Sequence, residues 1–339
     1  MRRTPFVESC LVIGRCAANW FERRPLVVSF EVTNSCTCRC RHCDHGGPVE
    51  EPNRITAADM RRWMKVLHPG AIQISGGEPL LREDIVDCVK ATQGFGGLPY
   101  TVFVSNFSLM TEEKYLALRA AGVDQFSVSL DFPDERHDDF RRHPGLFAHL
   151  GELLPRLAAL GYDDVVLNTA LTRENYTCVN DIVELAERWG VNVSFSAYSP
   201  RRTGDMSYMI SAAEELAELR RQFDGVLARK ENDPQGRIVN SCTTLDDTYK
   251  YFENGGTPDC TAGLRFLVVT ADGYLQPCSM QFHRHLDQRE LVREFTANNT
   301  CDQCYVAIRS YLDKGFWRLL RENVGDHFSF RLKRDAARA

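Results

Sequence analysis

The sequence predicts an α/β protein built on a parallel sheet, and two observations support this fold class. Short apolar segments of strand composition alternate six times with segments of helical period between residues 25 and 205. These apolar segments are continuous rather than alternating, which is typical of strands covered by helices on both faces. Six β/α units with right-handed crossovers are too few to close an eight-stranded barrel, so we expect a partial (β/α)6 barrel.

The predicted elements follow one another in chain order after a helical or irregular lead-in. The six strands are predicted at residues 26–32, 71–75, 100–104, 126–130, 165–169 and 191–197. The helices between them are predicted at residues 56–67, 82–93, 111–121, 146–160 and 175–189. Thr56 is the expected N-cap of the first of these helices.

The pattern changes beyond the sixth strand. Two further helices are predicted at residues 211–230 and 241–252, a hairpin at 265–277 and a helical tail at 306–322, before a basic segment at 328–338. We therefore expect five regions: a lead-in, the partial barrel, a helical linker, a small C-terminal β-hairpin/helix domain and a basic tail, at residues 1–24, 25–205, 206–255, 256–323 and 324–339.

Composition narrows the class of protein. The 339 residues carry a net charge of -5, which gives no reason to expect nucleic acid as a partner. The N-terminus has no apolar run of signal-peptide length, and no stretch approaches the ~20 apolar residues of a membrane span. A cytoplasmic location without a membrane partner is expected. Thirteen cysteines in such a chain favour metal binding or catalysis over disulfides.

The first cysteine cluster lies in the segment EVTNSCTCRCRHC, from Glu31 to Cys43. This segment leaves the C-terminal end of the first strand, where α/β folds keep their active sites. Cys36, Cys40 and Cys43 are spaced as three ligands of a [4Fe–4S] cluster, whose fourth iron would stay open. Cys38 falls outside this spacing and is interpreted as a non-ligand. A structural zinc site is the alternative.

Two motifs together resemble the radical S-adenosylmethionine (SAM) superfamily. They are the cysteine segment after the first strand and Ser-Gly-Gly-Glu-Pro, residues 75–79, after the second. The resemblance covers roughly residues 25–200. It implies that the open iron chelates the amino and carboxylate groups of SAM, and that SAM cleavage gives a 5′-deoxyadenosyl radical, which abstracts a hydrogen atom from an unactivated C–H bond. It also implies a reductant such as flavodoxin or ferredoxin.

The resemblance implies SAM contacts near both motifs. Gly76 and Gly77 would allow close backbone approach to the ligand, because glycine has no Cβ. Glu78 would meet the SAM ammonium, and Pro79 would fix the turn. His42 stands where the family keeps an aromatic residue against the adenine.

The end of the third strand carries Ser105 and Asn106, where the family has a polar pair for the ribose hydroxyls. The commoner family form is Thr-Asn-Gly, and this chain departs from it with Phe107 in the third position.

Further contacts are expected from the fourth and fifth strands. Ser129 and Asp131 end strand four, although Asp131 could instead cap the next helix. Arg141 could pair with the SAM carboxylate, or it could be a solvated arginine in a charged run. Asn168, predicted to end strand five, is a candidate for contact with SAM or substrate.

A second cysteine set comprises Cys260, Cys278, Cys301 and Cys304. It resembles the C-terminal twitch domain, the shortened form of the SPASM domain. The resemblance implies one auxiliary [4Fe–4S] cluster with four protein ligands, which favours electron transfer over substrate ligation. Structural zinc is again the alternative.

The two-cluster arrangement resembles dehydrogenases and epimerases that modify carbohydrates, aminoglycosides or nucleosides in antibiotic biosynthesis. It implies hydrogen abstraction at a carbinol C–H of a sugar-containing small molecule, followed by two-electron oxidation or epimerisation. Cys178 is the candidate hydrogen donor for epimerisation and Cys242 a weaker one, although the first expectation for Cys178 is a core or N-terminal-turn cysteine. The alternatives are decarboxylation or dehydration, modification of a ribosomal peptide, and a non-enzymatic iron–sulfur electron carrier.

The loop after strand six holds the candidate substrate residues Tyr198, Arg201, Arg202 and Asp205. Two arginines suit a carboxylate or phosphate, whereas Asp205 suits an aminoglycoside. A solvated loop is the alternative.

Overall fold

The computed structural model describes residues 5–233 and 235–322, so the basic segment predicted at 328–338 lies outside the described residues. The strands are β1 (Val27–Glu31), β2 (Ala71–Ser75), β3 (Tyr100–Ser105), β4 (Gln125–Ser129), β5 (Val165–Leu171), β6 (Asn192–Ala197), β7 (Phe266–Val269) and β8 (Leu275–Gln276). The helices are α1 (Pro5–Glu22), α2 (Ala57–Leu67), α3 (Ile85–Ala91), α4 (Glu112–Ala121), α5 (Arg136–Arg141), α6 (Leu146–Ala159), α7 (Val179–Trp189), α8 (Ala213–Asn232), α9 (Cys242–Asn254), α10 (Gln288–Glu294) and α11 (Ala307–Leu312). Residues 316–322 are also helical.

The strands form one eight-stranded sheet of order β6-β5-β4-β3-β2-β1-β7-β8. The β1/β2, β2/β3 and β5/β6 ladders are parallel, whereas β7 and β8 form an antiparallel hairpin. The first six strands thus lie in sequence order, as consecutive β/α units require. The predicted α/β class with a mostly parallel sheet is confirmed.

The hairpin joins the sheet in a way that the sequence did not indicate. β7 pairs in parallel with β1, with Val27 opposite Phe266 and Phe30 opposite Val269. Pairing between strands so distant in sequence leaves no local signal. The hairpin therefore extends the sheet beyond its first strand, although the predicted regions assigned it to a separate C-terminal domain.

The chain divides into two compact units, and the division falls inside β4. The first unit contains residues up to 39, residues 45–127 and residues 260–300. The second contains residues 40–44, residues 128–259 and the chain from 301 onward. Compactness thus groups the hairpin with the N-terminal strands. The predicted domain boundaries, which follow the chain order instead, stay predictions.

Local chemistry explains where the elements begin. Thr56 caps α2 through a capping box, in which its hydroxyl accepts a hydrogen bond from the backbone N–H of Asp59. The helix predicted at 82–93 begins later, at Ile85, because a 3-10 turn at Pro79–Leu81 precedes it. Two short helices, α5 and α10, were not predicted, since six or seven mostly charged residues show no helical apolar period.

None of the described helices combines the length and apolar character that crossing a membrane would need.

Candidate functional site

The first half of the cysteine loop, in the first unit, is fixed by hydrogen bonds to a later part of the same loop. The Glu51 carboxylate accepts hydrogen bonds from the Thr33 hydroxyl at 2.5 Å and from the backbone N–H of Asn34 at 2.6 Å. The N–H of Cys36 donates to the carbonyl of Gly47 at 3.0 Å. These hydrogen bonds therefore fix the backbone of the loop up to Cys36, its first predicted cluster ligand.

The four cysteines of this segment differ in exposure. Cys36, Cys40 and Cys43 are half-buried, whereas Cys38 is fully buried. No disulfide joins any of the thirteen cysteines, all of which lie in the described part of the chain. Three partly open thiols on one polar loop are a donor set that fits an iron–sulfur cluster.

The two glycines after β2 allow close approach to the cysteine loop. The N–H of Gly77 donates to the carbonyl of Thr33 at 2.7 Å, and the N–H of Glu78 donates to that of Ser35 at 2.8 Å. A Cβ on Gly76 would lie 2.3 Å from the Thr33 carbonyl oxygen, and one on Gly77 would lie 2.1 Å from that of Ser35. The glycines were predicted to let backbone approach a ligand, and here they admit the loop's own backbone.

Gly77→Ala is expected to lower the free energy of unfolding by about 1–3 kcal/mol, because the added Cβ meets backbone that cannot rotate away. Thermal or denaturant unfolding measures this loss, and the iron content should fall with it. Gly14→Ala is the matched control, since a Cβ there meets nothing within 4 Å. In α1 this control should be neutral or stabilising by about 0.5–1 kcal/mol. Equal stability of the two variants would contradict the close approach of Gly77 to the backbone of the cysteine loop.

Glu78 is fully buried, and both of its carboxylate oxygens accept hydrogen bonds from the protein. Oε1 accepts from the N–H of Leu80 at 3.0 Å and from the hydroxyl of Ser105 at 2.7 Å. Oε2 accepts from the N–H of Asn106 at 2.8 Å, and Pro79 starts the 3-10 turn that follows. Glu78 therefore joins the ends of β2 and β3, and its contact with the SAM ammonium stays a prediction.

The turn after β3 places a non-glycine residue, Phe107, in the left-handed backbone region. Phe107 has a φ of 64°, in the left-handed region, which costs a non-glycine residue about 1–2 kcal/mol. Its buried ring packs against Phe126 at 6.0 Å between centroids, which offsets the strain. The amide of Asn106 donates to the Thr37 hydroxyl at 3.0 Å and lies 3.7 Å from the Cys36 sulfur. The predicted ribose contacts of this turn stay predictions.

In the second unit, the other half of the cysteine loop packs on α5. The His42 ring stacks on Phe140 at 4.8 Å between centroids, with an interplanar angle of 13°. The N–H of Arg41 donates to the carbonyl of Phe140 at 3.0 Å. A stacked, half-buried imidazole is the kind of surface on which an adenine could rest.

Asp131 and Arg141 form a buried ion pair, with 2.6 Å between Oδ2 and Nε. Asp131 is fully buried and Arg141 is 8% exposed. Two alternatives for these residues are therefore wrong: Arg141 is not a solvated arginine, and Asp131 does not cap α5, whose N-cap is Glu135. Burial raises the pKa of Asp131, but Arg141, His42 and His137 outweigh it and leave the pKa below its ordinary value.

Three buried polar atoms near this pair have no hydrogen-bond partner within the described part of the chain. They are Nδ1 of His42, Oδ1 of Asp131 and Nε2 of His137. The N–H of Asp131 donates to Nδ1 of His137 at 3.1 Å, which leaves the proton of the neutral imidazole on Nε2. Buried polar atoms are rarely left without partners, so this group of atoms fits a polar ligand such as SAM.

His137 is expected to make stability fall with acidification. Burial and Arg141 lower its pKa to about 4, and nearby Asp131 and Asp138 oppose the shift less strongly, while His42 adds to it. The unfolded chain binds a proton near pH 6.5 that the folded chain refuses until about pH 4. Between these values the free energy of unfolding falls as the pH falls, by up to about 1.4 kcal/mol per pH unit for one histidine.

Unfolding curves of wild type and His137→Asn at pH 7 and pH 5 measure this contribution, because asparagine keeps the acceptor and loses the titration. The variant should show the smaller pH dependence. An unchanged pH dependence in His137→Asn would contradict the prediction.

The remaining predicted SAM contacts lie along β4 and β5. Ser129 is half-buried at the end of β4. Asn168 lies inside β5 rather than at its end as predicted, because β5 continues to Leu171. Its side-chain oxygen accepts a hydrogen bond from the Ser196 hydroxyl at 3.4 Å.

Cys178 is buried, with 3% exposure, where a 3-10 turn passes into α7. Nη2 of Arg136 lies 3.6 Å from its sulfur, and Arg136 is held by both carboxylate oxygens of Asp134 at 2.7 Å. Asn175, three residues earlier, donates to the carbonyl of Asp131 at 3.1 Å. Cys178 therefore follows a segment that contacts Asp131, and its sulfur lies beside a side chain of α5. Cys242, by contrast, is exposed.

The four candidate substrate residues all contact protein groups of the second unit. The Tyr198 hydroxyl lies 2.7 Å from that of Thr203 and donates to the carbonyl of Asp205 at 2.9 Å. Arg202 pairs with Asp44, next to the third predicted ligand, a contact that the sequence did not indicate.

The other two candidates also have internal partners. Asp205 caps a 3-10 turn through the N–H of Ser207 at 2.8 Å, and Arg201 donates to the Gln303 side chain at 3.2 Å. The substrate roles of all four residues stay predictions.

The C-terminal cysteines are divided between the units. In the first unit, Cys260 is buried and its carbonyl accepts from the Asn299 amide at 2.8 Å, whereas Cys278 is half-buried. In the second unit, Cys301 is half-buried and Cys304 is buried.

Arg309 organises the Cys304 end of this set. Its side chain is fully buried and donates to the Cys304 carbonyl at 2.6 Å, with 3.9 Å to the Cys304 sulfur. Burial raises the pKa of the Cys304 thiol, and the Arg309 charge opposes the shift. A fixed cation beside a thiol suits a metal-bound thiolate.

Comparison with known proteins finds a family model that matches part of the chain. Residues 30–186 match the model described as the Radical SAM superfamily, so this part of the chain is similar to a radical SAM domain. The matched region begins in β1 and ends in α7, so it contains the first cysteine motif and the Gly-Gly-Glu-Pro turn.

Individual relatives carry different activities. The chain is 26% identical over 271 residues to the AdoMet-dependent heme synthase of Oleidesulfovibrio alaskensis, covering 74% of this chain and 69% of the relative. It is 26% identical over 304 residues to the probable GTP 3′,8-cyclase of Methanothermobacter thermautotrophicus, covering 84% and 95%. It is 27% identical over 269 residues to the mycofactocin maturase MftC of Mycobacterium ulcerans, covering 76% and 69%.

Among solved structures, SuiB of Streptococcus suis bound to its precursor peptide SuiA has the same fold. The TM-score is 0.58 at 16% identity, and the match covers 91% of this chain and 70% of SuiB.

Proposed function

We propose that this chain is a radical SAM enzyme and that Cys36, Cys40 and Cys43 hold its SAM-binding [4Fe–4S] cluster. When bound, SAM and the reduced cluster supply a 5′-deoxyadenosyl radical that takes a hydrogen atom from a C–H bond of the substrate. The observation that carries the proposal is the anchored loop: Gly77 and Glu78 fix the backbone before the first ligand, and the three thiols stay partly open. The single electron comes from a reductant such as flavodoxin or ferredoxin.

The chain's own residues orient the ligand and exclude water. His42, stacked on Phe140, offers a flat face to the adenine. The unpartnered oxygen of Asp131 can accept from a hydroxyl or ammonium group, and Nε2–H of His137 can donate. Arg141 holds Asp131 in its ionised, acceptor form.

We further propose an auxiliary [4Fe–4S] cluster on Cys260, Cys278, Cys301 and Cys304. Support comes from the chemistry of the donor set and from Arg309, whose buried guanidinium lies beside the Cys304 sulfur. A hydrogen-bonded, charge-stabilised thiolate is how proteins tune the potential of such a group. This cluster would accept an electron from the substrate.

The proposed reaction is abstraction at a carbinol C–H of a sugar-containing small molecule, with Cys178 as hydrogen donor. The thiol gives its hydrogen atom to the substrate radical, and one electron from the reductant with one proton from solvent restores the thiol. The product is then the epimer. If the substrate radical instead loses an electron to the auxiliary cluster and a proton to a base, the product is a ketone. Decarboxylation and dehydration are the alternatives.

Cys178→Ala tests the donor role. In deuterated water the wild-type enzyme is expected to place deuterium at the abstracted carbon, because thiol protons exchange with solvent. Deuterium incorporation by the variant should be at least about tenfold lower than that of the wild type, while the variant still forms 5′-deoxyadenosine. Cys242→Ala, which removes an exposed thiol, is the matched control and should retain both. Unchanged deuterium incorporation in Cys178→Ala would exclude it as the donor.

A peptide is the second candidate substrate, because SuiB, which shares the fold, is seen bound to its precursor peptide. The test offers sugar nucleotides and aminoglycosides, GTP, and SuiA peptide separately to the reduced, cluster-loaded enzyme. The substrate class is the one that raises 5′-deoxyadenosine formation above the substrate-free rate and is itself converted. Stimulation by peptide alone would replace the sugar proposal.

A further inference from the structure

The hairpin of the first unit brings a histidine toward the short helix α10. The N–H of His285 donates to the carbonyl of Leu275 at 2.9 Å, and the N–H of Leu275 donates to that of His285 at 2.8 Å. Asp287 then caps α10 by accepting from the N–H of Glu290 at 3.1 Å. Glu290 and Glu294 are four residues apart and therefore lie on one face of the helix.

The three side chains converge on one point. Nδ1 of His285 lies 3.9 Å from Oε2 of Glu290 and 3.8 Å from Oε2 of Glu294, and the three atoms all lie within 4.8 Å of one another. These separations are too long for hydrogen bonds. The two distances from His285 suit atoms that share a metal ion, because two ligand atoms that each lie about 2.0–2.2 Å from zinc are at most about 4.4 Å apart.

Burial adds an independent observation. His285 is only 9% exposed, and its Nδ1 makes no hydrogen bond within the described residues although it is aimed at the two carboxylates. A histidine held this far inside the protein, with its Nδ1 facing two carboxylates, is placed to share a cation with them.

The carboxylates are arranged to receive a cation. Oε1 of Glu294 accepts from Nη2 of Arg293 at 3.1 Å, which leaves Oε2 facing His285. Two ionised glutamates and a neutral imidazole carry two negative charges, which a divalent ion balances. An imidazole with two carboxylates favours zinc or a similar transition metal over magnesium or calcium, which prefer all-oxygen sites.

We propose that His285, Glu290 and Glu294 bind a divalent transition metal ion, with zinc as the ion to test. The metal would tie the return segment of the hairpin to α10, in the stretch of chain between Cys278 and Cys301. This site uses no thiol, and it does not depend on the iron–sulfur ligands or on the proposed reaction.

The experiment uses the cluster-loaded protein, so that zinc does not occupy the cysteine thiols. After treatment with a chelator weak enough to leave the iron in place, zinc is titrated and bound zinc is measured by elemental analysis. One zinc per chain is expected, with an X-ray absorption spectrum that reports nitrogen and oxygen neighbours including one imidazole. His285→Gln should weaken zinc binding by at least about tenfold, since even indirect ligand partners contribute that much.

Two variants separate the proposed site from alternatives. His283→Gln, which removes a neighbouring exposed histidine, should bind zinc as the wild type does, whereas Glu290→Gln should weaken binding as His285→Gln does. Equal zinc binding by His285→Gln and wild type, sulfur among the zinc neighbours, or no uptake by the wild type would each overturn the proposal. Circular dichroism of every variant confirms that a loss of zinc is not a loss of folding.

Discussion

Cys40→Ala is expected to abolish SAM cleavage and to remove about four irons per chain, because a [4Fe–4S] cluster needs its protein ligands. The rate of 5′-deoxyadenosine formation should fall by about three orders of magnitude or more, equivalent to about 4 kcal/mol in the barrier. The measurements are iron and acid-labile sulfide after anaerobic reconstitution, followed by 5′-deoxyadenosine formation with a strong reductant. The iron of the proposed auxiliary cluster should remain.

Cys38 provides a matched control from the same loop. It is fully buried, whereas the predicted ligands are half-buried. Cys38→Ala should keep the iron content and SAM cleavage of the wild type and should cost about 1 kcal/mol in stability from the lost packing. SAM cleavage that survives in Cys40→Ala, or that disappears equally in Cys38→Ala, would mean that the ligands are misassigned.

Asp131→Ala is expected to lower the free energy of unfolding by about 3–5 kcal/mol, because it leaves the buried Arg141 charge without its partner. The denaturant midpoint of variants in the same cluster state measures this loss. The double variant Asp131→Ala with Arg141→Met should recover part of it, since an apolar side chain replaces the unpaired charge. Fully additive losses would show that the pair is not coupled.

The Asp131–Arg141 pair also makes the stability of the fold depend on pH in the acid range. The folded-state pKa of Asp131 is depressed, so its contribution to stability is complete above the unfolded value of about 3.9 and is lost as the pH falls below it. Asp131→Ala should therefore be less sensitive than the wild type to acid in that range, as measured by the denaturant midpoint at a series of pH values.

The elements that the sequence predicted well are those with a local cause. The strand at residues 71–75 was predicted with its observed bounds, because five residues between turn signals have strand composition. The N-cap Thr56 follows from its spacing to Asp59. By contrast, α5 has six residues, RHDDFR, which show no hydrophobic period, so no local pattern predicts a helix there.

The sequence predicts individual residues of the candidate site better than it predicts the contacts between them. Asp131 and Arg141 were both predicted as site residues, but their ion pair depends on α5, which was not predicted. Glu78 was assigned to a ligand, whereas its carboxylate also bonds Ser105 across two strands. Such contacts follow from tertiary packing rather than from spacing in sequence. The spacing Glu-x3-Glu after His285 was the one signal that could have indicated the group on α10.

The parallel pairing of β1 with β7 has a consequence for the order in which the chain can fold. On the ribosome, β1 emerges more than two hundred residues before Phe266–Val269, so one edge of it waits unpaired through most of synthesis. An exposed apolar edge strand is a template for pairing with other chains. Any fragment that stops before residue 266 keeps that edge, and we expect it to aggregate even when all six β/α units are present.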